Sequence, residues 1–144
     1  MSGVIGIGLD LVTVSEFAEQ LARPGTAMST SFTVGERRDA ASRGSDPARH
    51  LAARWAAKEA VIKAWSGSRF AHRPVLATVA HHEIEVVTDA WGRPAIRLSG
   101  EVAAELTGVT IHVSLTHDGD LAAAVAVVED STVDEHRIDE PLAS

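Results

Sequence analysis

Asp10 and Glu59 have the settings in this 144-residue chain that most require a chemical explanation. Asp10 closes an apolar run over residues 4–9, and Glu59 falls inside an alanine-rich apolar segment over residues 46–67. A carboxylate in an apolar setting is costly unless it is paired or bound to a cation. Two of them suggest a shared cation. Hard oxygen donors in small number suit Mg2+, which keeps several waters and takes further ligands from phosphate. The alternative pairs Asp10 with an arginine and Glu59 with Lys63 at i, i+4. Spacing alone leaves both open. Lys63 lies one helical turn beyond Glu59, where an ammonium group could meet the phosphates of a ligand held by the cation. His117 follows a strand and starts a turn, so it could contact phosphate or shuttle a proton. It could equally be a turn histidine bonded to backbone.

The lysines add a compositional signal. Thirteen residues are basic, and the only two lysines are Lys58 and Lys63, on either side of Glu59. A lysine is a compact point charge where arginine is a planar fork. Two lysines confined to one segment point to a local chemical need, against the plainer reading of chance and a helical Glu–Lys pair. His50, His72, His81, His82 and His112 read as structural or surface residues. His81-His82-Glu83 has the composition of a metal cluster, but adjacent strand residues face opposite ways. Gly6-x-Gly8 lacks the third glycine and the following helix of a dinucleotide fingerprint.

The elements that must position these groups follow from periodicity and punctuation. Residues 4–9 form a first strand, ended by Asp10. Residues 15–21 form a short helix closed by Pro24-Gly25. Thr33 and Glu36 make a capping box for a helix to about Ser42. Asp46-Pro47 starts a long helix, with Asp at the cap and Pro at the first position. Leu51, Trp55, Lys58, Ile62 and Trp65 share one of its faces, and alanines fill most of the rest. A helix apolar nearly all round is buried, and in so small a chain it is expected to complete its burial at a subunit interface. Residues 70–80 form a loop. Strands at 83–88 and 95–98 flank a hairpin connection, and a short helix spans 101–106. Residues 109–116 alternate between an apolar row and the polar row Thr110, His112, Ser114 and Thr116. A last strand spans 121–129. The fold class is α+β, with about five mostly antiparallel strands around a long buried helix.

Charge and composition exclude several functions. The net charge is -7, and from Glu129 onward six acids face a single arginine, so the body is nearly balanced. A nucleic-acid binder would carry a basic surplus. No apolar run reaches the length of a membrane span, and no secretory leader is expected. Cysteine is absent, which fits a reducing cytosol. Residues 1–130 are expected to be one domain and residues 131–144 an acidic, disordered tail.

Four segments, in order, resemble the holo-acyl-carrier-protein synthase family of 4'-phosphopantetheinyl transferases. They are Gly6-Ile-Gly8-Leu9-Asp10; Phe32-Thr33-x-x-Glu36-Arg37; Arg54-Trp55-Ala-Ala-Lys58-Glu59-Ala60-x-x-Lys63-Ala64; and Gly92-Arg93-Pro94 together with Ile111-His-Val-Ser-Leu-Thr-His117. The resemblance spans roughly residues 4 to 129, and the detail of the third segment resembles mycobacterial or related actinobacterial members. It implies a phosphopantetheinyl transferase-like fold assembled as a homotrimer, with coenzyme A bound between subunits and an apo-acyl-carrier protein as partner. It implies Mg2+ held by Asp10 and Glu59, and catalysis by Glu59, Lys63 and His117. It places Asp10, Arg54, Lys63, Gly67, Ser68, Arg93, Pro94 and His117 around the coenzyme. It further implies a cytoplasmic enzyme of fatty acid biosynthesis. Two departures are visible: Ser68-Arg69 stands where the family usually has Thr-Gly, and the segment from Ser68 to His82 is longer than usual. A metal-dependent phosphohydrolase of small nucleotides and a coenzyme-binding protein without activity are the competing readings.

Overall fold

The computed structural model describes residues 3–131, so nearly all of the expected tail lies outside the described residues. The elements are β1 (Gly3–Thr13), α1 (Val14–Ala22), a 3-10 turn (Met28–Ser31), α2 (Val34–Ser42), α3 (Pro47–Ser68), a second 3-10 turn (His81–Glu83), β2 (Ile84–Thr88), β3 (Pro94–Leu98), α4 (Gly100–Glu105), β4 (Val109–Asp118) and β5 (Leu121–Asp130). The α+β expectation holds. All strand pairs are antiparallel, and the strands divide into a sheet ordered β1-β5-β4 and a separate β2-β3 hairpin. Among the described residues, no helix is long and apolar enough to cross a membrane.

Three local expectations need correction. Asp10 does not end β1; the strand runs on to Thr13, with Asp10 opposite Ala124. Its carboxylate finds a partner on α3, so the chain has no reason to turn there. His117 does not start a turn either. It lies within β4, and the reversal follows at Gly119 and Asp120, with Gly119 at φ 56°. Glu83 does not open the strand expected over residues 83–88; it closes a 3-10 turn with His81 and His82, and β2 starts at Ile84.

The helix α3 organises both halves of the core. Asp46 accepts a hydrogen bond from the Arg49 amide at 3.2 Å, and Pro47 occupies the first turn. On one side α3 packs on the inward row of β5, where Ala122, Ala124, Ala126 and Val128 are buried. Towards its N-terminal half, Leu51 and Trp55 meet Phe17 and Phe32 from α1 and the segment before α2. β1 lies closest of all. A Cβ placed on Gly6 would collide with the Ala64 carbonyl, and one on Gly8 with the Ala60 carbonyl. The two glycines and the small alanines let strand and helix meet backbone to backbone, which brings Asp10 to the turn of α3 that carries Glu59 and Lys63.

The apolar exterior is not where the helix pattern put it. The apolar side chains of α3 are largely covered within the chain. The exposed apolar row belongs to β1, where Ile5, Ile7, Leu9 and Leu11 alternate outward between Gly6, Gly8 and Asp10, with Ile7, Leu9 and Leu11 each at least 65% exposed. The period of two that turns the glycines onto α3 necessarily turns this row away from it.

The two most deeply buried charges among the described residues form a pair in the core. Lys58 and Glu36 are 0% and 1% exposed and form an ion pair of 2.7 Å. Lys58 Nζ also donates to the carbonyls of His81 (2.9 Å) and Ile84 (2.7 Å). Glu36 closes the capping box of α2 through the Thr33 amide and accepts from the Val86 amide at 3.1 Å. Burial pulls the Lys58 ammonium below the ordinary lysine range, against the opposing pull of Glu36. Replacing Lys58 by Met leaves Glu36 buried and unpaired. The expected loss is about 3–5 kcal/mol of stability, read from the midpoint of chemical denaturation; a loss under about 1 kcal/mol, typical of a surface pair, would contradict the role.

Candidate functional site

Asp10 and Glu59 line one cleft of about 320 Å3, with Glu16, Gln20 and Trp55 among its other walls. Asp10 comes from β1, Glu59 from the middle of α3, and Glu16 from α1, which starts directly after β1. The pairings differ from those spacing suggested. Lys63 Nζ donates to Asp10 Oδ1 at 2.9 Å and to the Leu9 carbonyl at 3.0 Å. Asp10 thus pairs with a lysine, not an arginine, and Lys63 does not bridge to its i-4 neighbour. Lys63 has a half-exposed side chain, so its ammonium can reach solvent and ligand as well as Asp10.

Glu59 pairs instead with His81, whose Nε2 lies 2.6 Å from Glu59 Oε1. The imidazole stacks on the Trp55 indole, with centroids 4.4 Å apart and planes 14° apart. The hydrogen bond from His81 holds the Glu59 carboxyl below its ordinary value, opposed by partial burial and helped by the nearby positive charge of Lys63. His81, expected to be structural or surface, is the hydrogen-bond partner of Glu59. Glu16, which lines the cleft, was not among the expected site residues. The available signal for Glu16 was its place six residues after Asp10, at the start of a helix that β1 must deliver to the same end of the sheet. Nothing in linear spacing joins His81 to Glu59.

The other expected site residues lie elsewhere. Arg54, Pro94 and His117 share a second cleft of about 330 Å3 with Arg43, His50 and Gly92. Arg54 is 4% exposed, pairs with Asp39, donates to the His50 carbonyl at 3.2 Å and leaves its Nε buried without a partner. Burial lowers its pKa, with Asp39 working in the opposite direction. The rings of His50 and His117 meet edge to face at 5.8 Å. Arg54 and Glu59 are five residues apart on one helix, so they point about 140° apart around its axis. The single chain therefore does not bring the first cleft's carboxylates together with Arg54 and His117. Gly67 and Ser68 lie at the end of α3, where the Ser68 hydroxyl donates to the Trp65 carbonyl at 2.5 Å. Arg93 sits exposed on the β2-β3 hairpin, bonded to Asp89 at 2.6 Å and lying over the Trp91 ring.

Among the described residues, no three His, Cys, Asp or Glu side chains converge into a metal cage. Two carboxylates facing one cleft, both partly open to it, are the arrangement a small hard divalent cation uses when water and a ligand's oxygens complete its shell. The cleft can therefore hold a cation jointly with an anionic ligand, and Lys63 stands at its edge to meet the same charge.

Comparison with known proteins gives the family. Residues 6–126 match the model of the 4'-phosphopantetheinyl transferase superfamily. A holo-[acyl-carrier-protein] synthase of Mycobacterium ulcerans is 67% identical over 129 residues, covering 90% of this chain and 99% of the relative. The solved acyl carrier protein synthase of Mycobacterium tuberculosis superposes with a TM-score of 0.74 at 61% identity, covering 88% of this chain and 97% of that one. A coenzyme A complex of the synthase from Chronobacterium ammoniagenes superposes with a TM-score of 0.82 at 46% identity, covering 85% and 95%. This chain belongs to the 4'-phosphopantetheinyl transferase superfamily and, within it, to the holo-[acyl-carrier-protein] synthase family.

Proposed function

We propose that this protein transfers 4'-phosphopantetheine from coenzyme A to a serine of an apo-acyl-carrier protein, giving the holo-carrier and adenosine 3',5'-bisphosphate, and that it serves fatty acid biosynthesis in the cytoplasm. The observation that carries the reading is the convergence of Asp10 and Glu59, 49 residues apart in sequence, on one open cleft, with Lys63 paired to Asp10, in a chain of this family. In the reaction the serine oxygen attacks the β-phosphorus, a new phosphorus–oxygen bond forms, and the bond to the adenosine bisphosphate breaks in line. Negative charge grows on the leaving phosphate, and a fixed cationic group there lowers the barrier. Lys63 supplies that charge from the edge of the cleft. Asp10 and Glu59 would hold Mg2+, which when bound neutralises charge on the coenzyme diphosphate.

Glu59 is better suited to holding a cation than to taking the serine proton. Its hydrogen bond from His81 keeps the carboxyl below its ordinary value, and such a group is a weak base. The serine proton then goes to water in the cleft.

Arg54, Pro94 and His117 would bind the adenosine end of coenzyme A, with Gly67, Ser68 and Arg93 shaping the approach. Because they line a different cleft from the carboxylates, this requires a second subunit. The homotrimer implied by the family resemblance is supported by the exposed row Ile5, Ile7, Leu9 and Leu11 on β1, a contiguous apolar strand face of the kind that monomeric proteins seldom leave uncovered.

The test mixes apo-carrier protein, coenzyme A and Mg2+ and follows the mass added to the carrier. Asp10→Asn and Glu59→Gln each remove a charge without changing size and should abolish most turnover while the proteins stay folded. Folded variants with near wild-type turnover at low Mg2+ would refute the site. Consumption of coenzyme A without a carrier would favour a phosphohydrolase; tight binding without consumption would favour a binding protein. Lys63→Ala should lower kcat by about 100-fold with little change in coenzyme affinity, since its charge matters most in the transition state. For assembly, sedimentation should show a trimer at micromolar concentration. Ile7→Lys should dissociate it and lower turnover; a fully active wild-type monomer would disprove the shared site.

A further inference from the structure

The Glu59 carboxylate has three side-chain torsions and no cation of its own, because Lys63, one turn away on α3, is engaged by Asp10 and the Leu9 carbonyl. Some other group must fix its direction, and His81 has the geometry for it. The histidine is held at three points by one stretch of α3. Its ring lies flat on Trp55, its carbonyl accepts from Lys58 Nζ at 2.9 Å, and its Nε2 reaches Glu59 Oε1 at 2.6 Å. Those three contacts fix the ring's plane, its depth and its rotation. A carboxylate only accepts, so the hydrogen lies on Nε2 in either charge state of the ring. With Oε1 bound, Oε2 is left free of protein hydrogen bonds among the described residues.

We infer that His81 is a positioning residue, whose Nε2–H fixes the Glu59 carboxylate with one oxygen committed and the other presented to the cleft beside Asp10. The inference rests on Glu59 acting in the cleft as proposed above. The Lys58 contact supplies a physical link. The same buried ammonium that neutralises Glu36 also anchors the backbone of the 3-10 turn, so the ring is set by the core and not by a free loop. Groups that orient a metal-binding side chain typically change affinity or activity by about 10–100-fold when removed.

Two substitutions separate the hydrogen bond from the ring packing. His81→Phe keeps a ring on Trp55 and deletes the donor. His81→Gln keeps an amide donor near the position of Nε2 and deletes the stack. The expected result is a drop in kcat of about 10–100-fold for His81→Phe, with a melting temperature near wild type, and recovery of most of that loss in His81→Gln. In the Glu59→Gln background, His81→Phe should change nothing further. Calorimetric titration with Mg2+ alone should show weaker binding by about tenfold or more in His81→Phe and near wild-type binding in His81→Gln. Imidazole 15N spectra of the unsubstituted protein should show His81 protonated at Nε2, with a signal that moves in Glu59→Gln. That spectrum decides the contact even if a His81 variant fails to fold. Normal turnover and Mg2+ binding in His81→Phe would overturn the inference while leaving Glu59 in place. So would a phenotype in which Phe is active and Gln is not, because packing would then be the function. Wild-type turnover in Glu59→Gln would remove the site reading and the inference together.

Discussion

The ion pair between Lys58 and Glu36 is the constraint on which the rest of the arrangement depends. Two charges taken out of water are expensive, and their mutual attraction offsets that only when every remaining donor and acceptor is also satisfied. Here the account closes. An ammonium has three donors, and Lys58 spends them on Glu36 and on the carbonyls of His81 and Ile84. Glu36 accepts from Lys58, from the Thr33 amide and from the Val86 amide. Four pieces of chain meet at this one point: α2 and its cap, α3, the 3-10 turn and β2. Arginine would be wrong here, because a planar fork cannot aim its donors at a carboxylate and two carbonyls arranged around a point. The rarity of lysine in this chain thus has a reason at each position. Lys58 is a tripod in the core, and Lys63 is a solvent-reaching charge at the cleft.

A second constraint is the distance between β1 and α3. Backbone contact is possible only because Gly6 and Gly8 have no side chain to place against the carbonyls of Ala64 and Ala60. With larger residues the strand would have to lift away, and Asp10 would leave Lys63. The pattern that excluded a dinucleotide fingerprint is therefore a packing device, and its product is the meeting of two carboxylates from distant parts of the chain.

What the sequence made legible was what depends on neighbours in sequence. Thr33 with Glu36, Asp46 with Pro47, and the alternation from Val109 to Thr116 are all short-range signals, and each element appears where they place it. Asp10, Glu59 and Lys63 could be singled out from type and setting. Their partners could not. Asp10 and Lys63 are 53 residues apart and Glu59 and His81 are 22 apart. Those pairings exist only because β1 touches α3 and because Lys58 pins the 3-10 turn. His81 was discounted because nothing near it in sequence points to Glu59; the 3-10 turn brings it there because its carbonyl is tied to Lys58 on the same helix as Glu59. The grouping of Arg54 and His117 with the carboxylates came from resemblance alone, and the path of one chain does not bring them together.

That separation and the apolar row of β1 have a common consequence. α3 contributes to both clefts, but from faces about 140° apart, and no ligand can bend around a helix packed into its own core to use both. Within a single chain, then, the cationic cleft around Arg54 lacks the carboxylates and the carboxylate cleft lacks the arginine. Independently, the same two-residue period that presses Gly6 and Gly8 onto α3 turns Ile7, Leu9 and Leu11 to solvent. Among the described residues nothing covers that row, because the helices are already occupied with the other face of the sheet. A second copy answers both deficits: it offers the row an apolar partner, and it can bring its own Arg54 cleft against the first chain's carboxylates. In the proposed trimer β1 would have two faces with two duties, one fixing Asp10 within the subunit and the other meeting the neighbour whose Arg54 cleft would complete the site.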